Sequence, residues 1–328
     1  MLDDNNLRMK NINGFDLIKF ILCYMVVAIH CGVDHYSSIG MKIAELAVPV
    51  YFVISGFLMY KYIYETGNFL HYIKRLICMY SLYSILYLPL TFLGVKGKPL
   101  SESIIDVLQG IFIVGENYCS WPLWYLLALI WGAITIKLLT KLKVSLEGLV
   151  VVGLVLVLLA RTLDTLHPMA NNINSKSDYV LITAYFSIFE NTRNGLFAGL
   201  PFLSLGLMLK KYFSRMMEFK LAHLFIGGVL LIIAYWVRLP YASQMLAITI
   251  VLAVLKNPLQ DKSQYLTMRK MSTLIYFLHM YVVCSLDLYS QHLNFICKWG
   301  LVSVTITLVS ISLIVLSKRC HYLEYLYK

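Results

Sequence analysis

A single apolar run from Phe15 to Val33 is long enough to cross a bilayer, and it carries a lysine, Lys19, and a histidine, His30. Hydrocarbon opposes ionised groups, so ionisable residues at membrane depth usually face a cavity, a partner or a substrate path. With a rise of ~1.5 Å per residue, Lys19 and His30 lie roughly 16 Å apart along a helix axis and within ~20° of one face. The spacing therefore predicts that both side chains line one channel at two depths.

Composition assigns the class of the chain. Of its 328 residues, 59% are hydrophobic and only 14% are charged. One soluble core cannot bury that much apolar surface, so the chain is predicted to be an all-α polytopic membrane protein. Apolar windows of ~20 residues predict about ten transmembrane helices in one bundle that forms a single domain over 1–328. These spans lie near 14–33, 43–62, 76–94, 121–140, 145–162, 195–210, 221–238, 241–256, 272–291 and 298–317.

The basic residues fall unevenly between these spans. Most of the 28 Lys and Arg lie in loops on the side of the N-terminus. The positive-inside rule then places both termini in the cytoplasm, and a bacterial plasma membrane is the expected location. The net charge of +11 follows from this bias and from anionic lipid at the inner leaflet. Membrane lipid, and not nucleic acid, is the expected partner.

The second span contains Pro49 and the small pair Ser55 and Gly56. Proline removes a backbone hydrogen bond, and small residues let two helices approach closely. A bend or a tight helix crossing is predicted here, with a structural role.

Three cysteines and two short segments are expected at the outer face. The seven cysteines of the chain stand singly, without metal-ligand spacing, so no metal site is predicted. Cys31, Cys119 and Cys297 would lie near the outer surface, which leaves a disulfide between two of them open. Segments 101–116 and 178–194 are too short to cross, and we expect them to lie in the outer interface and roof a cavity.

His30 is the first candidate for catalysis. Neutral imidazole is well suited to accept a proton from a hydroxyl near pH 7. Asp34 lies four residues on, one helical turn away, and would accept the other ring N–H, while Glu45 near the outer end of the second span is another candidate partner. In the plain alternative, His30 hydrogen-bonds to water or a neighbouring helix and both acids are solvated.

Cations at the inner boundary form a candidate phosphate site. Lys19 either binds phosphate at the inner mouth or extends toward the interface. Lys74 and Arg75 open the third span, and Lys210 and Lys211 close the sixth. Arginine grips phosphate through two donors and lysine acts as a point charge, so these residues would serve a nucleotide-bearing donor. Basic residues at an inner boundary are also usual in membrane proteins.

Four residues are predicted to contact substrate. Trp124 begins the fourth span, where interfacial anchoring is the plain alternative. Arg193 and Asn194 directly precede Gly195 at the start of the sixth span. His279 lies about eight residues inside the ninth span, where a histidine nearly always has a polar partner.

Taken in order, these blocks resemble the acyltransferase family 3 membrane proteins. Lys19, ten intervening residues and His30 are similar to the opening signature of that family, in which an arginine or lysine precedes an essential histidine. The resemblance covers residues 14 to about 317, nearly the whole chain. The remaining similar blocks are 51–58, 74–75, 123–126 and 275–279.

This resemblance implies acyl transfer across the membrane. A cytoplasmic acyl-CoA, with acetyl-CoA the expected donor, would present its acyl group to a hydroxyl on a small-molecule or cell-surface glycan acceptor outside. His30 would deprotonate the acceptor, while Lys19 and Arg75 hold the donor. The chain departs from the family pattern in two places: Lys19 replaces a frequent arginine, and 124–131 lacks a frequent glutamate.

A second resemblance leads to another function. Residues 191–206 resemble a stretch in the membrane domain of vancomycin-resistance serine racemases, a branch of the family fused to a cytoplasmic racemase. This implies supply of L-serine to a racemase domain, with a soluble domain expected after residue 328. A zwitterion needs a cation such as Arg193 for its carboxylate and an acid such as Glu190 or Asp178 for its ammonium group. The plain alternative is a loop arginine paired with a nearby acid.

Overall fold

The computed structural model describes residues 12–172, 179–289 and 293–327. All regular structure in these ranges is helical, which confirms the all-α prediction. Short π-helical segments at Lys61–Glu65, Gly110–Val114 and Gly195–Gly199 adjoin α-helices, and a 3-10 helix covers His321–Leu326. The α-helices are α1 Asn13–His30, α2 Val33–Tyr36, α3 Ser38–Glu45, α4 Ala47–Tyr60, α5 Phe69–Gly94, α6 Leu100–Gln109, α7 Leu123–Lys141, α8 Leu146–Asn172, α9 Val180–Phe189, α10 Leu200–Lys211, α11 Phe213–Met217, α12 Leu221–Trp236, α13 Ala242–Lys256, α14 Ser263–Tyr289 and α15 Phe295–Ser317.

Within the described ranges, seven helical stretches are long and apolar enough to cross a membrane. The spans expected at 195–210, 221–238 and 241–256 correspond to shorter helices, of which α10 has 12 residues, α12 has 16 and α13 has 15. The chain is therefore a polytopic helical membrane protein. The seven stretches are Asn13–His30, Ser38–Glu65, Phe69–Gly94, Leu123–Lys141, Leu146–Met169, Ser263–Tyr289 and Phe295–Ser317.

The structure gives the helix lengths of the two short segments and the state of two cysteines. Segment 101–116 covers all but the first residue of α6 and segment 178–194 contains α9; each helix has ten residues and is too short to cross a bilayer. Cys31 and Cys297 are free thiols, so no disulfide joins any two of the three cysteines considered above.

The described residues form two compact units. Unit 1 comprises the chain up to Tyr51, the segment Ser214–Val237 and the chain from Met245 onward. Unit 2 comprises Phe52–Phe213 and Arg238–Gln244. Unit 1 therefore contains α1, α14 and α15, whereas unit 2 contains most of α4 together with α5 to α10.

In unit 1, α1 lies along α14, and the two helices run in the same direction. Asp16 in the first turn of α1 pairs with Arg269 in the second turn of α14. His30, the last residue of α1, lies beside His279 farther along α14. This order of contacts fixes the register between the two helices.

Helices α13 and α15 complete the packing around α1. A Cβ atom on Gly14 would lie 2.7 Å from Val254 Cγ1, so α13 can approach because this position is glycine. On α15, the Thr307 hydroxyl lies 2.7 Å from the Tyr24 hydroxyl, and the indole N–H of Trp299 donates to the Tyr24 carbonyl over 3.1 Å.

In unit 2, α4 and α10 cross at two glycines. A Cβ on Gly56 would collide with the backbone of Leu203, and one on Gly206 would collide with the Val53 carbonyl. The tight crossing predicted at Ser55 and Gly56 is therefore confirmed, since small residues let two helix backbones approach closely.

Candidate functional site

Two histidines meet in unit 1. The ring centroids of His30 and His279 are 5.2 Å apart, with 36° between the ring planes. His30 is half-buried at the end of α1, whereas His279 is fully buried on α14. The sequence placed both residues in membrane spans without indicating that they are neighbours, because the contact depends on the register of α1 against α14.

The ring of His279 is fixed by a backbone contact. Its Nδ1 lies 3.0 Å from the carbonyl oxygen of Ile275, one turn back on α14. A carbonyl can only accept, so Nδ1 carries the proton and Nε2 presents a lone pair. Among the described residues, Nε2 has no hydrogen-bond partner. A buried acceptor without a donor is unusual and calls for an explanation.

Lys19 lies on α1, eleven residues before His30. Its side chain is half-buried, and its carbonyl oxygen accepts a hydrogen bond of 2.7 Å from the Tyr51 hydroxyl. The Tyr51 ring packs edge-on against Tyr276 of α14, at 5.4 Å between centroids. Tyr51 therefore connects the part of α1 that carries Lys19 with the part of α14 that carries His279.

Asp34 and Glu45, the expected acidic partners of His30, contact other residues. Helix α1 ends at His30, and Gly32 takes a left-handed conformation with φ of 90°, so Asp34 belongs to the separate helix α2. The one-turn relation assumed between His30 and Asp34 is therefore wrong, and the Asp34 carboxylate lies 3.5 Å from His35 Nε2. Glu45 ends α3, where its carboxylate is 3.5 Å from the Tyr235 hydroxyl.

The candidate phosphate ligands of unit 2 differ in availability. Lys74 and Arg75 lie in the second turn of α5, are exposed, and have no ion pair among the described residues. Lys210 lies over the Phe57 ring, with Nζ 5.3 Å from its centroid. Lys211 is held by Glu147, whose Oε1 lies 2.6 Å from Nζ. The ion pair makes Lys211 the weakest phosphate candidate of the four.

Arg193 is at the centre of a polar cluster in unit 2. Its guanidinium lies 3.0 Å from Glu116 Oε1 and 5.5 Å from the centroid of the Trp124 ring. The Arg193 side chain is 55% exposed, whereas that of Glu116 is 14% exposed. Burial raises the pKa of the Glu116 carboxyl above its ordinary 4.5, and the charge of Arg193 partly offsets this rise.

The loop that presents Arg193 is held by side chains. The Asn194 carboxamide oxygen accepts from the backbone N–H groups of Leu196 and Phe197, and its amide donates to the Tyr185 hydroxyl over 2.8 Å. Thr192 donates to the Asp164 carboxylate at 2.9 Å. Asn194 thus caps the π-helical turn before α10 and holds the backbone next to Arg193.

Sequence reasoning missed Glu116 as the partner of Arg193. The sequence-based candidates are Glu190, which directly follows α9, and Asp178, which lies outside the described residues. Glu116 follows Gly115, whose φ of 85° turns the chain after the π-helical segment Gly110–Val114. A local signal existed in the Gly-Glu pair at the end of 101–116, but the pairing itself joins positions 77 residues apart.

In the part of the chain that the structure describes, no three His, Cys, Asp or Glu side chains are grouped closely enough to hold a metal ion.

Comparison with known proteins places these sites in context. A family model described as an acyltransferase domain matches residues 12–315. A serine/alanine racemase of Enterococcus gallinarum is 27% identical over 324 residues, which cover 92% of this chain and 45% of the relative. An amino-acid racemase of Enterococcus faecalis is 27% identical over 204 residues, or 60% of this chain and 28% of the relative. The chain thus spans less than half the length of these relatives, and no solved structure matches it.

Proposed function

Because the chain belongs to the family of membrane proteins that share this acyltransferase domain, we propose that it transfers an acyl group from a cytoplasmic acyl-CoA to an extracytoplasmic hydroxyl. Acetyl-CoA is the simplest donor, and a cell-surface glycan or small molecule is the acceptor class. The observation that carries this proposal is the pair of neighbouring histidines, His30 and His279, on adjacent membrane helices.

In the proposed reaction, His30 is the general base. The acceptor hydroxyl loses its proton to His30 as its oxygen forms a bond to the thioester carbonyl carbon. The C–S bond then breaks, coenzyme A leaves as the thiolate, and His30 returns the proton to that thiolate. The products are an ester and free coenzyme A, and His30 is restored to its neutral form.

The phosphates of the donor need cations. Lys19 is the candidate in unit 1, because its ammonium group is on the helix that carries His30. Lys74 and Arg75 are the candidates in unit 2, where their charges are not neutralised by ion pairs among the described residues. Arg75 offers two parallel donors to a phosphate, which an ammonium group cannot.

The test uses purified protein in detergent, with acetyl-CoA and L-serine as separate probes of thermal stability. We expect acetyl-CoA to raise the Tm, Lys19→Ala to reduce that rise, and His30→Ala to leave it intact while abolishing transfer of a radiolabelled acetyl group to N-acetylglucosamine. Lys211→Ala is the matched control. Stabilisation by L-serine alone, without any effect of acetyl-CoA, would contradict acyl transfer.

A second candidate function is supply of L-serine to a racemase domain. It is supported by the names of the relatives, serine/alanine racemase and amino-acid racemase. The Arg193–Glu116 pair adds a physical argument, since a guanidinium suits a carboxylate and Glu116 would receive the ammonium group. Uptake of radiolabelled L-serine into proteoliposomes tests this candidate. We expect Arg193→Gln to abolish such uptake, whereas uptake equal to that of empty liposomes would exclude the function.

A further inference from the structure

His279 has a polar atom that the proposed reaction does not yet use. The residue is fully buried, its Nδ1 proton is donated to the Ile275 carbonyl, and its Nε2 lone pair has no donor among the described residues. A buried lone pair without a donor is costly, so such atoms are usually satisfied. The group that donates to this lone pair is therefore a candidate functional residue.

As the proposed general base, His30 needs an acceptor for its second ring N–H. When imidazole accepts a proton, both ring nitrogens carry hydrogen, and the nitrogen that does not face the substrate needs an acceptor to hold the ring in place. Hydrolases meet this need with a carboxylate. Here the two acids predicted as partners of His30 contact other groups: Asp34 lies against His35 and Glu45 against Tyr235.

The geometry points to His279 Nε2 as that acceptor. Ring nitrogens project outward from the centroid, so centroids 5.2 Å apart permit an N–H···N hydrogen bond of about 3 Å when a nitrogen of each ring faces the other. We propose that His279 is the positioning residue for His30, accepting its second N–H and thereby selecting the tautomer that presents a lone pair to the acceptor hydroxyl. This inference rests on the proposed acyl transfer.

The assignment gives a role to the hydrogen bond between His279 Nδ1 and the Ile275 carbonyl. If Nδ1 were free, the imidazole could exchange tautomers and present either a lone pair or a proton to His30. The Ile275 carbonyl admits only the tautomer with hydrogen on Nδ1. The Ile275 carbonyl therefore fixes the tautomer of His279, and the Nε2 lone pair of His279 in turn fixes the tautomer of His30.

Two amide substitutions separate the acceptor from the rest of the ring. In His279→Asn, the amide N–H reaches the position of Nδ1 and keeps the bond to Ile275, but the acceptor at Nε2 is lost. In His279→Gln, the amide group extends to the position of Nε2, so its oxygen can accept from His30. Ser285→Ala is the control on α14, because that hydroxyl is exposed and donates to the Tyr281 carbonyl of its own helix.

The first readout is acetyl transfer to N-acetylglucosamine. We expect His279→Asn to lower kcat by about 10-fold or more, a size typical of a lost outer partner. Stabilisation by acetyl-CoA should not change, and His279→Gln and Ser285→Ala should stay close to the wild type. Equal loss in the Asn and Gln variants, or no loss in either, would overturn the assignment.

The second readout does not need turnover. The ¹⁵N resonances of labelled histidine, assigned with His30→Gln, report the His30 tautomer. One tautomer is expected in the wild type and in His279→Gln, and a mixture in His279→Asn. The same tautomer distribution in all three proteins would overturn the inference. Absence of any acetyl transfer by the wild type, together with the expected spectra, would instead contradict the proposed function alone.

Discussion

The guanidinium of Arg269 forms two hydrogen bonds of 2.8 Å with the two carboxylate oxygens of Asp16. The pair joins the first turn of α1 to α14, and the Asp16 side chain is only 5% exposed. Because α1 carries Lys19 and His30 while α14 carries His279, this contact sets the register in which the histidines meet.

We therefore predict that Arg269→Ala strongly destabilises the protein. Removing the arginine leaves a buried carboxylate without its counter-charge, which costs about 3 kcal/mol in comparable pairs. The Tm of purified protein in detergent measures the loss. The double variant Asp16→Asn/Arg269→Ala should be more stable than Arg269→Ala, because the unpaired charge is gone, and an equal or lower Tm would contradict this reasoning.

The Glu116–Arg193 pair makes a prediction about pH. Burial raises the folded-state pKa of Glu116 above 4.5, so the folded protein binds this proton more tightly than the unfolded chain. Its contribution to the free energy of unfolding is therefore fully present below 4.5 and is lost as the pH rises through the folded pKa.

In Arg193→Gln the pKa of Glu116 should rise further, because the arginine no longer favours the charged form. The variant should lose stability relative to the wild type at neutral pH and recover part of it on acidification toward pH 5. Thermal unfolding across this range measures the effect. Glu116→Gln/Arg193→Gln should lack the recovery, and a recovery that persists in the double variant would assign it to another group.

How much of this arrangement the sequence predicts depends on the range of each interaction. A membrane span is a local feature, because an apolar run such as 15–33 is visible in the sequence itself. The small pair Ser55 and Gly56 likewise indicates a tight crossing, which the structure confirms. The neighbourhood of His30 and His279 is not local, because it follows from the register that Asp16 and Arg269 impose.

The errors have equally specific causes. The prediction that Asp34 lies one turn beyond His30 assumes a continuous helix, but α1 ends at His30 and the left-handed Gly32 precedes the separate helix α2. The sequence does not indicate the Glu116–Arg193 pair, because Glu116 reaches Arg193 from a loop 77 residues away. Charge pairs between distant segments leave no periodic signal in a single sequence.

The acyl-CoA proposal predicts different effects for two lysines. Lys19→Ala should weaken binding of acetyl-CoA, since its ammonium group has the phosphate role in the proposal. Lys211→Ala should leave binding unchanged, because its charge is already neutralised by Glu147. Equilibrium binding of radiolabelled acetyl-CoA to the purified proteins measures both. Equal weakening by the two substitutions would indicate a general effect of net charge.

Alanine substitutions at two glycines, one at the crossing in unit 2 and one with open space around it, should differ in their effect on stability. Gly206→Ala should destabilise the protein by about 1–3 kcal/mol, because overpacking forces backbone shifts, and a Cβ there meets the Val53 carbonyl and the Phe57 amide nitrogen. Gly227 on α12 has open space around its Cβ position. Gly227→Ala should therefore be neutral or stabilise by up to about 1 kcal/mol through helix propensity. Thermal unfolding in detergent compares the two variants, and a loss at Gly227 as large as that at Gly206 would show that steric collision is not the cause.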